Sequence, residues 1–168
     1  NGLHKSISNE SYDKELSKLP EGAIANRNHY LKFQLPEHFI QLDKSGITVD
    51  SSLGFAEVPG WRNSFSQPFR PFLIQEKKLA SFVEVPLGIM DTTFWTYLKW
   101  KPNQIENWVG DFLESHKNES CFGVLWHNKF FTPYKFRGYL SVYKTILSFM
   151  RENNVKSIQP KEIKEIYW

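Results

Sequence analysis

Gly46-Ile47-Thr48-Val49-Asp50-Ser51-Ser52 packs a helix stop, a short apolar strand and a polar turn into seven residues. Ahead of it, Pro36 suits the first turn of a helix, because its missing N–H is one the helix leaves unpaired there anyway. Phe39, Ile40 and Leu42 follow as a core-facing set, and Gly46 sits where a left-handed C-terminal cap is wanted. Upstream, Gly2-Leu3-His4 reads as the end of a strand, Ser11 to Leu19 as a short helix stopped by Pro20, and Tyr30 to Leu35 as an alternating strand. Downstream, Asp50 to Pro71 holds several Gly and Pro residues without a period, the mark of a long ordered loop. Phe72-Leu73-Ile74 and Ser81 to Val85 are strand candidates. Asn103 to His116 carries Ile105, Trp108, Val109, Phe112 and Leu113 at helical spacing. Cys121 to Trp126 reads as a buried strand, Tyr139 to Met150 as a long amphipathic helix, and a short helix is expected from Pro160. Strand and helix alternate, so the expectation is one α/β domain over residues 1–168 with a parallel sheet or barrel.

The composition permits such a core and excludes several function classes. Of 168 residues, 40% are apolar and 23% charged, ordinary values for a globular domain. The aromatic share of 16% is high, which suits a Phe-rich core and also suits stacking on sugar rings. A net charge of +3 lacks the dense basic face of a nucleic-acid binder, so no nucleic-acid partner is expected. No apolar run is long enough to span a membrane, and no signal peptide is visible. The single cysteine, Cys121, allows no internal disulfide, and its apolar neighbours read as those of a buried thiol.

In parallel α/β folds ligands gather at the C-terminal ends of the strands. His4, Asp50, Asp91, His127 and Asn128 each fall there, immediately after an apolar run. Convergence of such residues is a site hypothesis.

The spacing of these residues resembles the polysaccharide deacetylase (NodB-homology, carbohydrate esterase) family. His4-Lys-Ser-Ile-Ser8-Asn9 is similar to that family's metal motif. Ala25-Asn26-Arg27-Asn28-His29 lies where its arginine motif is placed. Gly46 to Ser52 resembles a segment of several branches, and Leu125-Trp126-His127 resembles the final Leu-x-His motif. The nearest likeness is to a bacterial branch in which Asp50 to Phe55 leads to Gly60-Trp61-Arg62, followed by Met90-Asp91 and Trp126-His127-Asn128. The resemblance implies a partial or irregular (β/α) barrel lacking its first strand or strands. It implies a metal-dependent hydrolase removing N- or O-acetyl groups from a glycan. A divalent metal, zinc above all, would be held by His4 and, as a substitute ligand, His29. His127 would be the general acid, Arg27 would hold a catalytic carboxylate in place, and Asp50 joins them as a catalytic candidate. Arg62, Trp61, Trp126, Asn128 and Asp91 would contact substrate.

Two departures from the family pattern bear on activity. Asn9 stands where the second metal histidine belongs, and asparagine is a poor zinc ligand. The family's Asp-Asp motif would lie upstream of residue 1, so the resemblance implies a further N-terminal segment and an inactive chain without it. The alternative is a catalytically degenerate carbohydrate-binding module. Several residues also keep simpler readings. His4 reads equally as a satisfied strand-end histidine, and His29 as structural. His38 and His116, on polar helix faces, read as solvated. Trp61 and Trp126 read equally as core.

Overall fold

The computed structural model describes residues 2–7 and 10–167. Strands β1 (Gly2–Lys5), β2 (Ala25–Asn28), β3 (Val49–Asp50) and β6 (Val83–Glu84) form a parallel four-stranded sheet in that spatial order. Helices α1 (Tyr12–Leu16) and α2 (Glu37–Lys44) make the first two crossovers. A small antiparallel hairpin, β4 (Phe72–Leu73) with β5 (Lys78–Leu79), projects from the third. Strands β7 (Leu87–Met90) and β8 (Gly123–Leu125) form a separate parallel pair. Helix α3 (Pro102–His116) joins them, and α4 (Pro133–Phe136), α5 (Tyr139–Glu152) and α6 (Pro160–Tyr167) follow.

The architecture is a mixed α/β fold with a parallel sheet. The expected barrel is not closed among the described residues, and a local cause is visible. The free edge of β6 is taken by Phe69 from the long loop: Phe69 N–H reaches Glu84 O at 3.0 Å, and Glu84 N–H reaches Phe69 O at 2.8 Å. An edge already paired this way cannot also pair with β7.

The register sorts the side chains. His4 pairs with Arg27, and Asn26 pairs with Asp50, which pairs with Glu84. Because successive strand residues alternate in face, Leu3, Asn26, Asp50 and Glu84 point toward α1 and α2, while His4, Arg27, Val49 and Val83 point the other way. Leu3, Tyr12, Leu42, Ile47 and Phe82 build the core on the first side. On the second side, Ile163 of α6 closes over Val49, Val83 and Val85. A third cluster packs α3 and α5 on β7 through Ile89, Ile105, Val109, Tyr139, Val142 and Ile146.

The helical periodicities around α2, α3, α5 and α6 appear where expected, and Gly46 takes the left-handed conformation (φ 76°). The strand expected over Tyr30 to Leu35 does not form. The strand lies upstream at β2, and the chain turns through a 3₁₀ segment at His29–Leu31. The sequence of β2, Ala-Asn-Arg-Asn, is polar on both faces, so no apolar alternation marks it. Nor is His38 solvated: it is only 4% exposed.

Candidate functional site

Three histidines from distant parts of the chain line one small cleft, with a volume of about 180 Å³. His4 comes from β1, His29 from the turn after β2, and His127 from the residue pair after β8. Met90, Thr92, Leu125 and Lys129 form part of the remaining wall. The rings of His4 and His29 meet edge-to-face at 4.8 Å. Burial, followed by the neighbouring His29, holds the pKa of His4 below the ordinary imidazole value, which favours its neutral form.

His127 is organised from behind. Its Nδ1 lies 2.7 Å from Asp91 Oδ1, and its own backbone N–H donates to Asp91 Oδ2. Thr92 Oγ1 donates to the same carboxylate at 3.0 Å. Asp91 is fully buried, so it orients the ring rather than meeting a ligand. A carboxylate on Nδ1 selects the tautomer that carries its proton there, leaving Nε2 as the acceptor.

The turn carrying His29 is held by Asn28. Its side-chain N–H donates to Lys32 O at 2.9 Å, closing a loop over three residues. Inside that loop Tyr30 and Leu31 both adopt left-handed backbone (φ 58° and 53°), a conformation that costs about 1–2 kcal/mol for each non-glycine residue. Leu31 is buried against Leu87 and Met90, which offsets part of that cost.

Asp50 is placed on the opposite face of the sheet from His4 and Arg27. It is wholly buried. Its Oδ2 lies 3.0 Å from His38 Nε2, and its Oδ1 accepts from Asn26 at 2.7 Å and Ser52 at 2.9 Å. His38 Nδ1 in turn lies 3.0 Å from the Tyr12 hydroxyl, which donates to Asn28 Oδ1 at 2.9 Å. Burial alone would raise the pKa of Asp50; the hydrogen bond and charge of His38, then hydrogen bonds from Glu84 and Asn26, outweigh it and hold the pKa below the ordinary value. Beside it, burial and then the negative charge of Asp50 push Glu84 well above the usual carboxylate range. Arg27 donates through Nε to Ser51 O at 3.2 Å and Ser51 Oγ at 3.1 Å. Neither Arg27 nor Asp50 lines the cleft.

The other expected contact residues scatter. Trp61 packs on Phe112 at 4.6 Å and on His116 at 5.0 Å. Trp126 packs on Tyr143 at 5.6 Å and Tyr139 at 6.1 Å. Asn128 is exposed at the start of a 3₁₀ turn. Arg62 lines a groove of about 1110 Å³ shared with Lys32, Phe33, Phe55, Tyr30 and Tyr97. Tyr12, Asn26, Asn28, Ser52 and Glu84 are not singled out by the sequence as site residues, and His38 reads there as a solvated helix histidine. Their only signal was polarity inside or beside strands.

A divalent metal fits the described residues poorly. Neutral imidazoles such as those of His4 and His29 suit zinc, but catalytic zinc generally takes three protein ligands. No group of three His, Cys, Asp or Glu among the described residues could hold one ion. Ser8 and Asn9, the end of the metal-like motif, lie outside the described residues. No helix among those described is long and apolar enough to cross a membrane.

No family model matches the sequence, and no curated protein matches it. Among solved structures, the chain is similar to a Bordetella bronchiseptica protein provisionally described as a polysaccharide deacetylase involved in O-antigen biosynthesis. The likeness covers 98% of this chain and 67% of that one, at 15% identity and a TM-score of 0.44. At that score it carries no argument about fold or function.

Proposed function

We propose that the protein is a hydrolase that removes acetyl groups from a glycan, with His127 as its general acid–base. The observation that supports this reading is the Asp91–His127 pair opening into a cleft at the strand ends. With its Nδ1–H donating a hydrogen bond to Asp91, neutral His127 has a lone pair on Nε2. That nitrogen takes a proton from water as the water oxygen attacks the acetyl carbonyl. The resulting imidazolium returns the proton to the departing sugar oxygen or nitrogen, releasing acetate. Lys129, which lines the cleft with its ammonium resting over Phe130, can swing positive charge toward the oxygen that becomes anionic. His4, kept neutral, adds no competing charge.

The test is acetate release from acetylated oligosaccharides by the full-length protein, with His127→Ala beside it. The expected loss is about 10²–10⁴-fold in kcat; equal turnover in both would remove His127 from the chemistry. A second reading, a glycan-binding module without turnover, is favoured by the lack of a three-ligand group among the described residues. Saturable binding of the same oligosaccharides with no acetate released would select it.

A further inference from the structure

The histidine cleft and the large groove are neighbours with a common wall. Asn28, Tyr30, Leu31, Ala56 and Tyr97 line both. Their sizes divide the work. Small-molecule sites run about 300–1,000 Å³, so the 180 Å³ histidine cleft has room for a substituent and not for a chain. The groove, at 1110 Å³, exceeds what one small ligand needs. The wall between them is the left-handed Tyr30–Leu31 pair, and non-glycine residues held this way cluster at ligand clamps. Tyr30 is 60% exposed and Tyr97 45% exposed, which leaves two ring faces beside the junction.

Arg62 supplies the chemical specificity. Its guanidinium lies 4.8 Å from the Phe33 ring centroid and 5.7 Å from that of Phe55. Among the described residues no carboxylate is within ion-pair distance of it. The groove also holds Lys5, Lys32, Glu10, Glu37 and Glu57, so its overall charge selects nothing. What distinguishes Arg62 is its setting: an exposed planar fork beside two aromatic rings, which can meet a planar carboxylate bidentately.

We propose that the groove selects an acidic oligosaccharide, with Arg62 pairing a sugar carboxylate while the acylated substituent of the same chain enters the histidine cleft. This names the substrate class of the proposed hydrolase and rests on that reading. Binding tests it without turnover. Oligogalacturonate and its methyl ester, the same chain without charge, are titrated by calorimetry into the full-length protein and into Arg62→Gln. A hydrogen-bonded charge pair contributes about 1.5–3 kcal/mol, so the acid form is expected to bind about tenfold more tightly or better, and Arg62→Gln to abolish that preference. Equal affinity of the two forms for the unaltered protein, retention of the preference in Arg62→Gln, or binding of neither form overturns the proposal. The hydrolase reading stands or falls separately, on acetate release with and without His127.

Discussion

Replacing Glu84 by glutamine should change how stability depends on pH, and the size of the change follows from where Glu84 sits. Its side chain is fully buried, accepts the Leu53 N–H through Oε1 at 2.9 Å, and when protonated can donate to the neighbouring Asp50 carboxylate. Burial and the adjacent Asp50 charge raise its pKa well above the ordinary value. In the unfolded chain Glu84 loses its proton near pH 4.3. Above that pH, as far as the raised folded value, the native state binds one more proton than the unfolded state. Its contribution is therefore complete below the unfolded pKa and is lost as pH rises, at about 1.4 kcal/mol per pH unit. Asp50 and Glu15, whose folded pKa values are lowered, act in the opposite sense and mainly below pH 4 to 5, largely outside this window.

Glu84→Gln keeps the shape and the acceptor for Leu53 but has nothing to titrate. Urea unfolding of both proteins at pH 5, 6 and 7 reads Glu84 together with its coupling to Asp50, because groups that do not interact with Glu84 cancel in the difference. The variant is expected to gain on the unaltered protein as pH rises, with a slope of at most about 1.4 kcal/mol per pH unit, for as long as the folded state keeps the Glu84 proton that the unfolded chain has lost. Parallel profiles would refute the reasoning, for they would mean that Glu84 ionises alike in both states.

Removing His38 should be costly for a different reason. His38→Ala strips the partner from a fully buried carboxylate and from the Tyr12 hydroxyl, so denaturant unfolding should show a loss of about 3–5 kcal/mol; a loss under 1 kcal/mol would mean that Asp50 finds other compensation. Asp91→Asn should keep the fold while changing the tautomer of His127, lowering kcat for acetate release at nearly constant KM; an unchanged kcat would show that the ring is oriented by other means. Zinc titration by calorimetry should give only weak binding, lost in His4→Ala, because two imidazoles fall short of the usual three ligands; tight binding would require donors beyond those described. Gly123→Ala places a Cβ 2.5 Å from Pro86 O, a backbone atom, and should lower stability by about 1–3 kcal/mol; an unshifted thermal midpoint would show that β7 and β8 can separate.

Helices α3 and α5 were legible because each buries one apolar stripe whose 3.6-residue period survives in the sequence. The strand ends were legible too: His4, Asp50, Asp91 and His127 each follow an apolar run, and each lies at or just past the end of a strand. What the linear order could not convey was which way they face. Asp50 and His4 read as equivalent strand-end groups, yet the β1–β2–β3 register puts them on opposite sides of the sheet, because Asp50 aligns with Asn26 and His4 with Arg27. A one-residue difference in register inverts the face, and register is fixed by long-range pairing. The same pairing hid the Tyr12–His38–Asp50 network, whose members are 12 or more residues apart and polar where a core is normally apolar. That network bears on the cleft although no atom of it reacts. Tyr12 holds Asn28 Oδ1, and Asn28 closes the turn that carries His29 and forces Tyr30 and Leu31 left-handed. The buried polar face of the sheet is therefore the template for the exposed one, and the groove and cleft meet where they do because Asn28 is held on both sides.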